Sequence, residues 1–114
     1  MRHLKQGRKF GRERNQRKAF LKGLVRSFVL SGKIETTLPR AKETQRLAER
    51  LVTVAKKGTL AARRNIASAA DPEVMQKLFE LVPKYAARPG GYTRITKVRS
   101  RMHDRATMAV LEFV

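Results

Sequence analysis

The residues able to do chemistry in this sequence are cations, and their spacing suits phosphate better than catalysis. Between positions 1 and 22, Arg2, Lys5, Arg8, Lys9, Arg12, Arg14, Arg17, Lys18 and Lys22 supply nine positive charges against one acid, Glu13. A guanidinium is a planar fork that pairs bidentately with phosphate oxygens and stacks on bases, whereas a lysine ammonium acts as a point charge. Gly7 and Gly11 hinge the run, and His3 sits among cations that would repel a divalent metal. A flexible cationic segment of this kind can enter the grooves between RNA helices and release counterions at each phosphate it neutralises. The plain alternative is a solvated tail with no role.

A second basic cluster comprises Arg88, Arg94, Lys97, Arg99, Arg101 and Arg105, opposed locally only by Asp104. Tyr92 beside it could stack on a base, or it could be a core tyrosine with its hydroxyl at the surface. Arg63 and Arg64 form a smaller candidate that also fits an ordinary solvated helix face. Catalysis finds little support: the acids are scattered singly, and no Ser, His and Asp have motif spacing. Gly90 and Gly91 precede a strand-like stretch, so they form a turn and not a phosphate-cradling loop. With no Cys and only His3 and His103 as imidazoles, no metal site is expected, and no cofactor or small-molecule substrate either.

These cations belong to a chain of 114 residues with 27 Lys and Arg, 9 Asp and Glu, a formal charge of +18 and a pI near 11.6. Such an imbalance opposes compaction unless a polyanion neutralises it. Nucleic acid, an anionic membrane surface and an acidic protein all qualify. The apolar stretch at 20–31 is interrupted by Lys22 and Arg26, so neither a signal peptide nor a membrane span is expected.

The elements that must position the cations follow from periodicity. Residues 1–14 hold too little apolar surface to order themselves and read as an extended basic arm. Asn15 can cap a helix over 16–31, whose residues Phe20, Leu24 and Phe28 repeat every four positions alongside Leu21, Val25 and Val29. Gly32 suits its left-handed end. A strand over 33–38 stops at Pro39, which opens a second helix running to about Lys57 with Ala41, Thr44, Ala48, Leu51 and Ala55 inward. Thr59 can cap a third helix over 60–69. Asp71, Pro72 and Glu73 begin a fourth, which Pro83 should end. Strands over 92–99 and 107–114 flank a basic loop. The expected fold is α+β: one globular domain over 15–114, with a small sheet of about three strands packed against four helices.

At this point three stretches taken together resemble a known family. Met1-Arg-His-Leu-Lys-Gln-Gly-Arg-Lys9, Ile34-Glu-Thr-Thr-Leu-Pro-Arg-Ala-Lys-Glu43 and Gly90-Gly-Tyr-Thr-Arg-Ile95 are similar to the bacterial large-subunit ribosomal proteins of family seventeen. The likeness continues through Ala55-Lys-Lys-Gly58, Ala62-Arg-Arg64, Lys77-Leu-Phe79 and Met108-Ala-Val-Leu-Glu112, in order along nearly the whole chain. It implies a structural, non-enzymatic protein of the cytoplasmic bacterial ribosome. Such a protein would be assembled on large-subunit ribosomal RNA near the exit side of the nascent-chain tunnel, with a large-subunit protein of family thirty-two as neighbour. Carried onto this sequence, the resemblance makes Arg2, His3, Lys5, Arg8 and Lys9 the leading RNA contacts, followed by Arg63, Arg64, Tyr92 and Arg94. The charge pattern adds Arg12, Arg14, Arg17, Lys18, Lys97, Arg99 and Arg101. Phe10-Gly-Arg12 and Ser100-Arg-Met-His-Asp-Arg105 depart from the family pattern, which leaves the arm's flexibility and the loop's conformation open. The likeness beginning at Met1 argues against a cleaved presequence. Two other classes remain to be weighed: a DNA-binding protein, for which no helix-turn-helix signature exists, and a membrane-surface protein using the basic helix at 16–31.

Overall fold

The computed structural model describes residues 3–4 and 6–114. Four helices and three strands follow one another as α1 (Arg14–Ser31), β1 (Lys33–Thr37), α2 (Leu38–Lys56), α3 (Leu60–Ala69), α4 (Pro72–Tyr85), β2 (Thr93–Lys97) and β3 (Met108–Phe113). The α+β class and the element order match the periodicity. Several boundaries move, each for a local reason. The cap of α1 is Glu13 and not Asn15: the Gln16 side chain reaches back to accept the Glu13 backbone N–H at 3.3 Å, which starts the helix early and brings Arg14 into it. Leu38 leaves the strand and becomes the first residue of α2, with Pro39 in the first turn, where its missing N–H is not needed. Pro83 does not end α4, which continues to Tyr85. The Tyr85 ring is fully buried, and its hydroxyl donates to the Val114 carbonyl at 2.9 Å, so tertiary contacts hold the last turn. Strands β2 and β3 are shorter than the 92–99 and 107–114 expected.

The sheet order is β1-β3-β2, both pairings antiparallel. Gly32 turns α1 into β1 with φ of 78°, a left-handed conformation that suits a residue without Cβ. Period-two alternation then sends Ile34, Ala109, Leu111 and Ile95 to one face, where they meet Phe28, Ala41 and Ala48 of the helices. On the other side of α1 and α2 a larger cluster joins Val25, Val29 and Val52 to Ile66 of α3 and to Val74 and Leu78 of α4, with Tyr85 and Tyr92. Helix α2 contacts every other element. Its inner face of Ala41, Thr44 and Ala48 is small, which lets the sheet approach closely, and the Glu49 carboxylate ties it to β2 by accepting the Thr93 hydroxyl at 2.7 Å.

Candidate nucleic-acid interface

The described part of the basic arm does not extend away from the body. Phe10 lies edge-on to Phe20 of α1, with ring centroids 5.4 Å apart, and the Arg12 guanidinium covers the same Phe20 ring at 3.9 Å. Arg8 pairs with Glu43 of α2 at 2.9 Å, and Arg46 donates to the Gln6 side chain at 2.7 Å. Gly7, at φ of 96°, brings the backbone over Glu43, where an added Cβ would stand 3.7 Å from the carboxylate. The expectation of an extended arm is therefore corrected for residues 6–13. One aromatic residue and one carboxylate supply the contacts that its own composition lacks.

This docking gathers charge that the sequence disperses. Arg40 of α2 approaches Phe20 at 5.1 Å, so Arg8, Arg12, Arg40 and Arg46 converge around Glu43 and Phe20. Glu43 is the only acid in the group, and it is mostly buried. Lys9, Arg14 and Lys18 are exposed and, with the half-exposed Arg17, have no acid partner among the described residues. His3 is exposed, while Arg2 and Lys5 lie outside the described residues. The α2 cations Arg40, Lys42, Arg46 and Arg50 were missed from sequence because apolar residues and Glu43 and Glu49 are interleaved with them. The signal was nevertheless there: Lys42, Arg46 and Arg50 recur one turn apart on a single face.

The other predicted cations lie apart from this group. Arg63 of α3 lies over the Phe79 ring at 4.9 Å and Arg64 is exposed, on a helix packed chiefly against α2 and α4. Arg94 of β2 reaches Glu112 across the strand at 3.5 Å, while Lys97 and Arg99 are exposed without an acid partner. Tyr92 requires a correction. It is 1 % exposed and packs on Tyr85 with ring centroids 5.2 Å apart, so it has no free face for a base. Hydrogen bonding from Thr53, then from the Lys56 ammonium, holds its hydroxyl below the ordinary phenol pKa despite burial. Tyr92 belongs to the core.

The 100–106 loop acquires its shape from one side-chain pair. Asp104 accepts from Arg101 at 3.0 and 2.6 Å and from the Ala106 N–H at 3.1 Å, while Arg105 takes a left-handed φ of 55°. The Arg101 fork, followed by the Ala106 N–H, holds the Asp104 carboxyl down at about 2. A carboxylate with a depressed pKa contributes fully above its ordinary value of 3.8 and loses that contribution as pH falls toward 2. The amide resonance of Ala106 is expected to stay put down to about pH 3.8 and to move toward random-coil values as pH approaches 2. In Asp104→Ala it should sit near those values at pH 7; an Ala106 signal indifferent to both changes would refute this account.

Glu43 sets up a second expectation. A partly exposed ion pair contributes about 0.5–1 kcal/mol, so Glu43→Gln is expected to speed tryptic cleavage after Arg8 about two- to fivefold under native conditions. An unchanged cleavage rate would mean that Phe10 and Arg12 hold the arm without the carboxylate.

The result is a small α+β scaffold that presents cations from a docked arm, two helices and a sheet edge. The sequence profile of ribosomal protein L17 matches residues 20–114, and the chain belongs to that family. It is accordingly a structural constituent of the large ribosomal subunit and not an enzyme. Among similar proteins, the large ribosomal subunit protein bL17 of Clostridium botulinum is 55% identical over 109 residues, covering 94% of this chain and 96% of the relative. That of Clostridium acetobutylicum is 53% identical over the same coverage. The bL17 of Fusobacterium nucleatum is 51% identical over 116 residues and covers both chains completely, so the alignment takes in the arm that the family profile leaves out.

Proposed function

We propose that this protein binds and stabilises large-subunit ribosomal RNA. The arm over 1–14 lies between RNA helices, and the globular domain over 15–114 docks on folded RNA. The observation that carries this reading is the group of Lys9, Arg14, Arg17 and Lys18, cations without acid partners among the described residues, at the junction of the arm and α1. Side chains left unpaired within the protein are free to neutralise phosphates, whereas Arg101 and Arg94 already have carboxylates. Family membership turns a general preference for polyanions into one for ribosomal RNA. The same likeness supports placement near the exit side of the nascent-chain tunnel, a family thirty-two protein as neighbour, and the bacterial cytoplasm as the setting. No described helix is long and apolar enough to cross a membrane.

The test is selectivity. Purified protein should bind a folded large-subunit RNA fragment at least about tenfold more tightly than duplex DNA of equal charge at 0.15 M salt, because shape and 2′-hydroxyl contacts add to the phosphate term. It should also remain with the large subunit through a high-salt wash. Equal affinity for DNA would favour a general polyanion-binding role.

A further inference from the structure

Between α1 and α2, with α3 closing one end, runs an open groove of about 530 Å³. Its floor is apolar: Leu21 of α1 with Leu47, Leu51 and Val54 of α2, all half-buried. The three α2 residues rest on the larger core cluster, yet among the described residues no element covers their groove-facing sides. Its rim is cationic, with Lys18 and Lys22 on the α1 side and Arg50 on the α2 side, and no acid lines it. Lys22 has Asp71 at 3.6 Å as a partner. Lys18 and Arg50 have neither an ion pair nor a hydrogen bond among the described residues. Helical spacing extends both walls, because Arg14, Lys18 and Lys22 recur one turn apart on α1, as Arg46 and Arg50 do on α2.

An apolar floor between two cationic walls imposes two requirements on whatever fills it. The occupant must bring apolar side chains, since only these remove water from the leucines with a net gain. It must also bring negative charge on both flanks of those side chains. RNA meets only the second requirement: a strand could bridge Lys18 and Arg50 through its phosphates but would leave the floor wet. A membrane surface is flat, and the floor is recessed between helices. The geometry points to an amphipathic helix of a partner protein, its apolar stripe seated on Leu47 and Leu51 and flanked on both sides by Asp or Glu. This is helix-in-groove recognition, read at the i, i+3, i+4 and i+7 positions of the guest. The volume is in the range of pockets that bury most of a ligand. The inference does not depend on the RNA reading, because the groove could be filled whether or not the arm holds RNA.

The experiment uses the full chain and two fluorescein-labelled peptides of identical composition. In one, Leu residues form a helical stripe flanked by Glu; in the other the order is scrambled. Anisotropy at 0.15 M salt separates pattern from charge, since both peptides carry the same net charge to a strongly basic protein. The patterned peptide is expected to bind at least about tenfold more tightly than the scrambled one. Arg50→Glu, an exposed substitution that leaves the core intact, should weaken it about tenfold. Leu51→Asn should erase the difference between the peptides, with circular dichroism confirming the fold; if that variant fails to fold, Arg50→Glu decides. Equal affinity for the two peptides, or full affinity in Arg50→Glu, would overturn the proposal. So would a single-stranded RNA oligonucleotide that displaces the peptide and shifts the Leu47 and Val54 methyl resonances, because the groove would then be part of the RNA surface.

Discussion

Replacing Lys9, Arg14, Arg17 and Lys18 together by Gln is expected to cut affinity for large-subunit RNA by up to about a thousandfold at 0.1 M salt. The figure follows from counterion release. Each phosphate neutralised contributes a log–log salt slope of roughly −0.7 to −0.9, so four contacts account for a slope of about −3 to −3.5. Extrapolated from 1 M salt, where the effect vanishes, that slope is worth about three decades at 0.1 M. The measurement is a titration series between 0.05 and 0.4 M salt. The variant should show a slope shallower by about 3, while melting as the parent does, since none of the four residues is buried. Arg64→Gln serves as the contrast and should change the slope by less than about 1. Were the fourfold variant to keep the parental slope, the RNA surface would have to be elsewhere, with Lys97 and Arg99 the next cations to test.

Phe28→Ala is expected to destabilise the fold by about 3–5 kcal/mol. Phe28 is completely buried and stacks on Phe113 of β3 with ring centroids 4.3 Å apart and planes 14° from parallel. Phe113 in turn packs against both core clusters, the one under the sheet and the one among the helices. Truncating Phe28 therefore opens a void where the two meet, and neighbouring backbone from α1, α2 and β3 cannot all collapse into it. The melting temperature should fall by on the order of 10–20 °C, read by circular dichroism or calorimetry. A fall of only a few degrees would mean that the two clusters are independent, with Phe28 serving only the smaller one.

The parts of the fold that were legible in the sequence are those where periodicity and punctuation agree. Phe20, Leu24 and Phe28 with Gly32 marked α1 and its end, and Thr59 caps α3 as expected, its side chain accepting the Ala62 N–H at 3.1 Å. The misses share a physical cause, which is that contacts distant in sequence outweighed local preference. Pro83 is tolerated because Tyr85 anchors the turn beyond it. Polar neighbours left Tyr92 open between a base-stacking ring and a core tyrosine, and its packing on Tyr85 decides for the core. At the site, charge density singled out the arm, but nothing local showed that Glu43, 35 residues after Arg8, would hold it down. The groove between α1 and α2 was likewise invisible, since its walls belong to helices that only the tertiary fold sets side by side.

The strand order carries a consequence for how the molecule comes into being. Both β1 and β2 pair only with β3, which is the last of the three strands to be synthesised. Until those six residues exist, β1 and β2 have no hydrogen-bonding neighbour and the inner face formed by Ile34 and Ile95 has no centre. The four helices, by contrast, can begin to associate through Val25, Val52, Ile66 and Leu78 as soon as α4 is made. On the timetable of translation, the helical half precedes the sheet, and the chain closes like a zip whose slider arrives last.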